Sequence, residues 1–367
     1  MDDRIYWLGW QLLMPGAGKR LWHLVEHFGS PRAAWEAGVK ELAEAPGIGE
    51  EGPGGLARRK AALDPVREAG RLESMGITFV CHTDPCYPEN LLAIYDPPPV
   101  IFVRGSLKSS DKLSVAVVGS RRPSPYGQLV AGKLARDLAA TGITVVSGMA
   151  RGIDSAAHRG ALEGGGRTLA VLGCGPDVVY PRENRRLMEK IINNGAVISE
   201  YPPGTPPEPW RFPVRNRIIS GLARGTVVVE AAEKSGALIT ADFALDQGRD
   251  VMAVPGNVTS PLSRGPHRLI KQGARLVEGA GDVLDEIGLE NLFPVKKDEP
   301  GEAVKMSREE EAVYSLLSVD PVPLDEIIGR SGLTPQKAMA ALMYLELKGL
   351  ARQMPGKFYT RTERNVF

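Results

Sequence analysis

Between about 113 and 288 the chain alternates short, almost unbroken apolar runs with helical stretches. The runs are VAVVG (115–119), TVVSG (144–148), TLAVLG (168–173), AVISE (196–200), TVVVE (226–230), VMAVPG (251–256) and ARLVE (274–278). Between them lie segments such as GQLVAGKLARDLAATG and ALITADFALDQG. Continuous apolar strands separated by helices predict a parallel sheet covered on both faces. The expected fold is therefore α/β, an extended Rossmann-like, doubly wound, mostly parallel sheet. Ligands of such sheets bind beyond the carboxyl ends of the strands, so function is sought in the loops there.

The flanks follow other patterns. Residues 1–75 read as short helices punctuated by PGAGKR (15–20) and PGIGEE (46–51). A Pro-Gly-x-Gly turn between helices marks a helix-hairpin-helix, which predicts a small all-helical N-terminal domain of that kind or of the related SAM kind. Its turn amides could hold a phosphate. Glu50 and Glu51 speak against that for the second copy, while the first, with Lys19 and Arg20, fits either a phosphate contact or a structural turn. The extended Rossmann domain is expected over 76–288, a polar linker over 289–304 and a winged helix over 305–367. In the last, Thr334 suits an N-cap and Pro335 the first helical position. Its second helix carries Lys337 and little other positive charge, so DNA reading and protein contact both stay open.

Composition narrows the field. The 367 residues allow two or three domains, and no apolar run approaches the roughly 18–20 residues of a membrane span. Three cysteines give neither a disulfide framework nor a four-cysteine zinc site, and the acidic opening MDDRIYWLG is a poor signal peptide. A reducing cytoplasm is the expected compartment. GAGKR lacks the first glycine and the Ser/Thr of a P-loop. HLVEH (23–27) fits a zinc spacing for His23 and His27 with no evident third ligand, so no metal and no cofactor are expected. The net charge of +1 hides a contrast over 182–224, where eight Lys/Arg face four Glu. That contrast fits a solvated face or a phosphate-binding patch.

The strand-end loops supply the candidates. GSRRPSPYG contributes Gly119, Ser120 and Arg121; SGMARGID contributes Gly148, Arg151 and Gly152, with Asp154 expected to cap the next helix. GCG gives Gly173 and Gly175, and DVVYPRENRR gives Arg182. The proline-rich loop ending in RFPVRNR gives Arg211, Phe212, Arg215, Asn216 and Arg217, and EAAEKSG gives Lys234, Ser235 and Gly236. One glycine turn means little, because tight turns need glycine anyway. Several at corresponding strand ends, interleaved with arginines, describe an extended anion-binding groove. In FPVRNRIISG a helix begins among arginines, the wrong charge for a helix N-terminus unless an anion sits there. Aromatics beside a basic track suit single strands, whose bases stack; Phe212 fits that role, and Trp210 fits either stacking or anchoring the loop. No G-x-G-x-x-G, Walker or G-x-S-x-G motif occurs. Glu200 and Glu230 lie at strand ends without a partner nucleophile, so no enzyme activity is expected.

The chain resembles the family of the DNA-processing protein DprA, also called Smf. The resemblance rests on YPENLLAIYDPPPVIFVRG, VVGSRRPSPYG, SGMARGIDSAAHRGAL, VLGCGPDVVYPRENRRL, ISEYPPGT, RFPVRNRIISGL, VVVEAAEKSGALITADFALDQGRDVMAVPG and LIKQGA, over about 87–287. It implies a single-stranded DNA-binding protein that protects the strand and loads the RecA recombinase onto it in natural transformation and recombination. It further implies a homodimer through the Rossmann domain and, as another partner, the single-strand-binding protein. It places Ser120, Arg121, Arg211, Phe212, Arg215, Asn216 and Arg217 on the DNA track, with Lys234, Ser235 and Gly236 nearby. His267 in SRGPHRLI departs from the Asn frequent in the family. The rival reading is a nucleotide phosphoribohydrolase-like Rossmann enzyme acting on nucleoside monophosphates, although EAAEKSGALIT does not reproduce that family's P-G-G-x-G-T-x-x-E motif.

Overall fold

A computed structural model describes residues 3–46, 52–289, 306–318, 320–354 and 356–361. The second Pro-Gly-x-Gly turn, apart from Pro46, and the expected linker, apart from Leu289, lie outside the described residues. The chain forms two compact units, Met1–Val295 and Lys296–Phe367.

The first unit opens with six helices: α1 (Asp3–Leu13), α2 (Gly18–Phe28), α3 (Pro31–Glu36), α4 (Val39–Glu44), α5 (Gly52–Ala62) and α6 (Pro65–Ser74). Strand β1 (Thr78–Cys81), helix α7 (Glu89–Leu92) and strand β2 (Val100–Gly105) lead into the alternating part. There follow β3 (Ser114–Val118), α8 (Pro125–Ala140), β4 (Thr144–Ser147), α9 (Ile153–Glu163), β5 (Thr168–Leu172), α10 (Arg185–Asn194) and β6 (Ala196–Ser199). The chain continues with α11 (Arg211–Leu222), β7 (Gly225–Val228), α12 (Gly236–Asp246), β8 (Asp250–Ala253), α13 (Arg264–Lys271), β9 (Arg275–Leu276) and α14 (Ala280–Glu286).

All seven strands expected from the apolar runs are present, and they pair in parallel in the order β6-β5-β4-β3-β7-β8-β9. The mostly parallel, doubly wound sheet is thus as expected. Strands β1 and β2 extend it beyond β6 as an antiparallel pair, giving nine strands. Alternate side chains of a strand face opposite layers, and β3 shows this plainly. Ala116 and Val118 join one core with Ile218 and Leu222 of α11, Leu238 of α12 and Leu269 of α13. Val115 and Val117 join the other with Leu134 and Leu138 of α8, Ile153 of α9 and Val283 of α14.

From β3 the chain winds outward to β6, then returns to lay β7 on the other side of β3. The switch in direction opens a crevice between the ends of β3 and β7, where Val118 is in register with Val228. The helical segment is continuous with the sheet's edge: Trp10, Leu21 and Leu24 share a core with Cys81 and Val100, and Leu8 and Leu72 pack with Phe102.

The second unit contains α15 (Arg308–Tyr314), β10 (Val322–Pro323), α16 (Leu324–Ser331), α17 (Pro335–Leu347), β11 (Ala351–Met354) and β12 (Phe358–Arg361). Its small sheet runs β10-β12-β11, the winged-helix arrangement expected. Thr334 caps α17 by accepting from the Lys337 amide at 3.5 Å. Among the described residues, no helix is long and apolar enough to cross a membrane.

Candidate nucleic-acid interface

The loops after β3 and β7 and the first turns of α11 and α12 converge over the switch point. They enclose an open groove of about 580 Å³. Gly119, Ser120 and Arg121 line it from β3, Phe212, Arg215 and Asn216 from α11, and Ser235 and Gly236 from the start of α12. A smaller cavity continues beneath, lined by Gly148, Arg151, Gly173, Tyr180, Phe212 and Arg215 among others.

The β3 loop is fixed by its own backbone. The Ser120 amide donates to the Glu230 carbonyl at 2.6 Å, and the Ser120 carbonyl accepts from the Ile153 amide at 3.1 Å. Gly152 has φ +78°, and a Cβ there would lie 2.3 Å from the Ser120 carbonyl oxygen. Only glycine fits both the conformation and the approach. Thus held, the exposed Arg121 places its guanidinium 5.4 Å from the centroid of the Phe212 ring. Phe212 packs against the backbone of Gly173 and lies 5.4 Å from Tyr180 at 31°. Tyr180 is exposed and lines both cavities. In the sequence it carries a signal beyond the residues named above: an aromatic beside basic residues, inside DVVYPRENRR on a strand-end loop.

Arg215 forms the floor. It is 3% exposed, and its Nη1 donates to the carbonyls of Gly148, at 2.8 Å, and Val171. Burial pulls its pKa down to about 10 against the opposing pull of the Asp154 carboxylate, which leaves it charged at neutral pH. Asp154 does not cap α9; Gly152 holds that position. The Asp154 carboxylate instead accepts from the Ala150 amide at 3.3 Å, and burial raises its pKa despite Arg215.

Opposite, Ser235 caps α12 by accepting from the Ala237 amide at 3.3 Å, and Asn216 donates to the Gly236 carbonyl at 3.2 Å. No described residue lies within 4 Å of where a Gly236 side chain would be, and Gly236 lines the groove, so this helix N-terminus is open to it.

Several expected track residues are placed elsewhere. Arg217 points away from the groove, 4% exposed, with Nε 2.8 Å from Asp96 and Nη2 2.9 Å from Glu200. Burial works against its charge, yet Glu200 and Asp96 together raise its pKa above the ordinary arginine range. The helix begins at Arg211, so Arg215 and Arg217 lie beyond its first turn, and the conflict with the helix dipole does not arise for them. The anion expected beside Arg217 is this carboxylate pair. Arg211 itself turns into the proline loop, donating to the Pro206 carbonyl and lying 5.1 Å over Tyr201 and 4.9 Å over Trp210. Trp210 is exposed and donates to Glu208 at 2.6 Å. Gly175 is enclosed by Asp177, Pro202 and Gly204. Arg151 stays in the lining of the smaller cavity, exposed and ion-paired with Glu183, while Arg182 and Lys234 are exposed outside the two cavities.

The two acids at strand ends are engaged in structure. Glu230 accepts from the amide and hydroxyl of Ser124 at 2.8 and 2.6 Å, and Glu200 pairs with Arg217. His267 contacts the Gly256 carbonyl at 3.0 Å. Among the described residues no cluster of three or more His, Cys, Asp or Glu could hold a metal.

Comparison with known proteins fits this arrangement. The sequence model of DNA recombination-mediator protein A matches residues 78–288, and that of the DprA winged helix domain matches residues 297–357. Protein Smf of Synechocystis sp. is 32% identical over 98% of this chain and 99% of its own length. DNA processing protein A of Streptococcus pneumoniae superposes with a TM-score of 0.68 at 38% identity, over 78% of this chain and 98% of that one. DNA processing protein A of Helicobacter pylori, whose structure is described for its single-stranded DNA binding mode, superposes at 0.53 with 28% identity, over 59% of this chain and 97% of that one. The chain belongs to the DprA/Smf family of DNA-processing proteins.

Proposed function

We propose that this protein binds single-stranded DNA in the groove between the ends of β3 and β7, protects it and delivers it to a RecA recombinase. The carrying observation is the Arg121–Phe212–Tyr180 cluster above the buried Arg215 charge. Arginine supplies phosphate attraction and the rings supply base faces, a combination that suits an unpaired strand because a duplex hides those faces. The N-terminus of α12 adds amides and a helix dipole at the far wall. The Helicobacter pylori relative, known for a single-stranded DNA binding mode, and the recombination-mediator family support the same reading. Delivery to the recombinase and pairing of two copies through the Rossmann domain belong to the proposal.

The test is fluorescence anisotropy with labelled single strands and matched duplexes across a salt series, for the unaltered chain and Arg121→Ala. Strand-selective binding that weakens with salt and in the variant supports the groove. Equal affinity in the variant moves the DNA site elsewhere. Failure to bind any strand returns the groove to small nucleotides. Recombinase delivery is then read by RecA filament formation on strands pre-coated with the single-strand-binding protein, with and without this protein.

A further inference from the structure

We propose that Arg217 is a positioning residue for the groove, and that the hairpin of α1 and α2 sets its position. Affinity for a single strand would then depend on a segment that never touches it. The inference rests on the groove being a single-strand site. Two residues along a helix turn through about 200°, so Arg215 and Arg217 project from opposite sides of α11. One floors the groove and the other faces the helical segment. Arg217 is held by Asp96 at 2.8 Å and Glu200 at 2.9 Å, and the hairpin grips the chain on both sides of this cage.

Gln11 of α1 donates to the Glu200 carbonyl at 2.8 Å, and Trp22 of α2 donates to the Pro97 carbonyl at 2.8 Å, next to Asp96. Gly16, at φ +72°, lies so close to Tyr201 that a Cβ would be 2.8 Å from its ring. A Cβ on Gly18 would stand 3.2 Å from Glu200 Oε1 and 3.5 Å from Arg217 Nη2. The glycines of PGAGKR thus let the turn close over an arginine–carboxylate pair. Lys19 from the same turn rests on Tyr95, beside Asp96, with its ammonium 4.8 Å from the ring centroid.

Among the described residues the cage is only partly satisfied: Arg217 Nη1, Glu200 Oε2, Gln11 Oε1 and Tyr201 Oη are buried without a hydrogen-bond partner. A buried network of this kind is sensitive to the packing around it, and the hairpin supplies that packing. Rotation of α11 would break the Arg217 pairs and carry Arg215, Asn216 and Phe212 out of register with the β3 loop.

The experiment measures single-strand affinity and its salt dependence on the full chain for Asp96→Asn, Gly18→Val, Arg215→Ala and each of the first two combined with the third. Asp96 is partly exposed, with its side chain at 34%, so its variant keeps the fold, which circular dichroism melting checks. Asp96→Asn and Gly18→Val should each weaken binding by about tenfold and flatten the salt slope in the same sense as Arg215→Ala, because they act by moving that charge. In the Arg215→Ala background they should add little, since they act through that residue. Unaltered affinity of the folded single variants overturns the inference and leaves the groove reading intact. So does full additivity with Arg215→Ala. Failure of the unaltered chain to bind a single strand sinks both.

Discussion

Gly148 and Arg215 compete for one volume: a Cβ on Gly148 would stand 2.7 Å from Arg215 Nη2 and 2.7 Å from the Asp154 carboxylate. Arg215 has nowhere to retreat, because its Nη1 is bonded to the Gly148 and Val171 carbonyls beneath the groove. Gly148→Ala should therefore displace the guanidinium rather than find room. Overpacking of this kind costs about 1–3 kcal/mol, read as a lower melting temperature. Single-strand affinity should fall with it in the fraction that stays folded. A variant that melts lower yet binds as tightly would show that the floor charge contributes nothing to binding.

Arg121 and Phe212 should separate by their salt dependence. Arg121→Ala removes an exposed guanidinium, and each lost phosphate contact flattens the plot of log affinity against log salt by about 0.7 for a single strand. Phe212→Leu removes a stacking face at a cost of about 1–3 kcal/mol per base and should leave that slope alone. A salt series on both variants decides it. Equal slope changes would mean that Phe212 acts only by holding Arg121, whose guanidinium lies 5.4 Å from its ring.

How far the site was legible follows from what kind of signal each part leaves in a sequence. The seven parallel strands were readable because strands buried on both faces are continuous apolar runs, as VAVVG and TLAVLG are. Strands β1 and β2 are less legible: TFVC is short, and VIFVRG directly follows the proline run DPPP with no helical stretch between. The glycine-rich loops are legible as close backbone approaches at strand ends, such as Gly152 against Ser120, because those approaches demand glycine. The side of α11 that Arg217 takes does not follow from the charge argument, which treats the arginines at the helix start alike. At 100° per residue the two arginines fall on opposite sides of α11. Its partners Asp96 and Glu200, 121 and 17 residues away in sequence, come together only through the fold.

His158 predicts a pH dependence of stability. It is fully buried, with Nδ1 2.6 Å from the Thr168 hydroxyl and Nε2 without a partner among the described residues. Burial, helped by the nearby Arg215 charge, pushes its pKa down to about 3. In the unfolded chain an imidazole takes up its proton near pH 6.5. The unfolded state therefore binds more protons below that value, and the contribution of neutral His158, whole above pH 6.5, declines as pH falls toward about 3. The limiting slope is about 1.4 kcal/mol per pH unit. Urea unfolding of the unaltered chain and His158→Asn between pH 7 and 5 should show their stability difference shrinking. A constant difference would mean that the imidazole titrates alike in the folded and unfolded chain, and a growing one that the folded state holds the proton.

Glu230 separates the binding protein from its enzymatic rival. Its carboxylate accepts from the Ser124 amide at 2.8 Å and the Ser124 hydroxyl at 2.6 Å, and that hydroxyl also accepts from the Gly127 amide at 3.1 Å. The acid thus buttresses the N-cap of α8, where negative charge is favoured, and ties down the loop that carries Arg121. Glu230→Gln keeps one oxygen for the Ser124 amide but turns an N–H toward the Ser124 hydroxyl, which loses its charged acceptor, at a cost of about 1–3 kcal/mol. For a unit of this size that is a drop of roughly 2–4 °C in melting temperature per kcal/mol. Weaker single-strand binding should accompany it, because Arg121 loses its support. A catalytic acid would behave otherwise. The unaltered chain would then release free base from a nucleoside monophosphate, and Glu230→Gln would abolish that release with little change in melting. Chromatography of the incubated nucleotide beside the two melting curves distinguishes the outcomes, with no release and a lowered melt expected here.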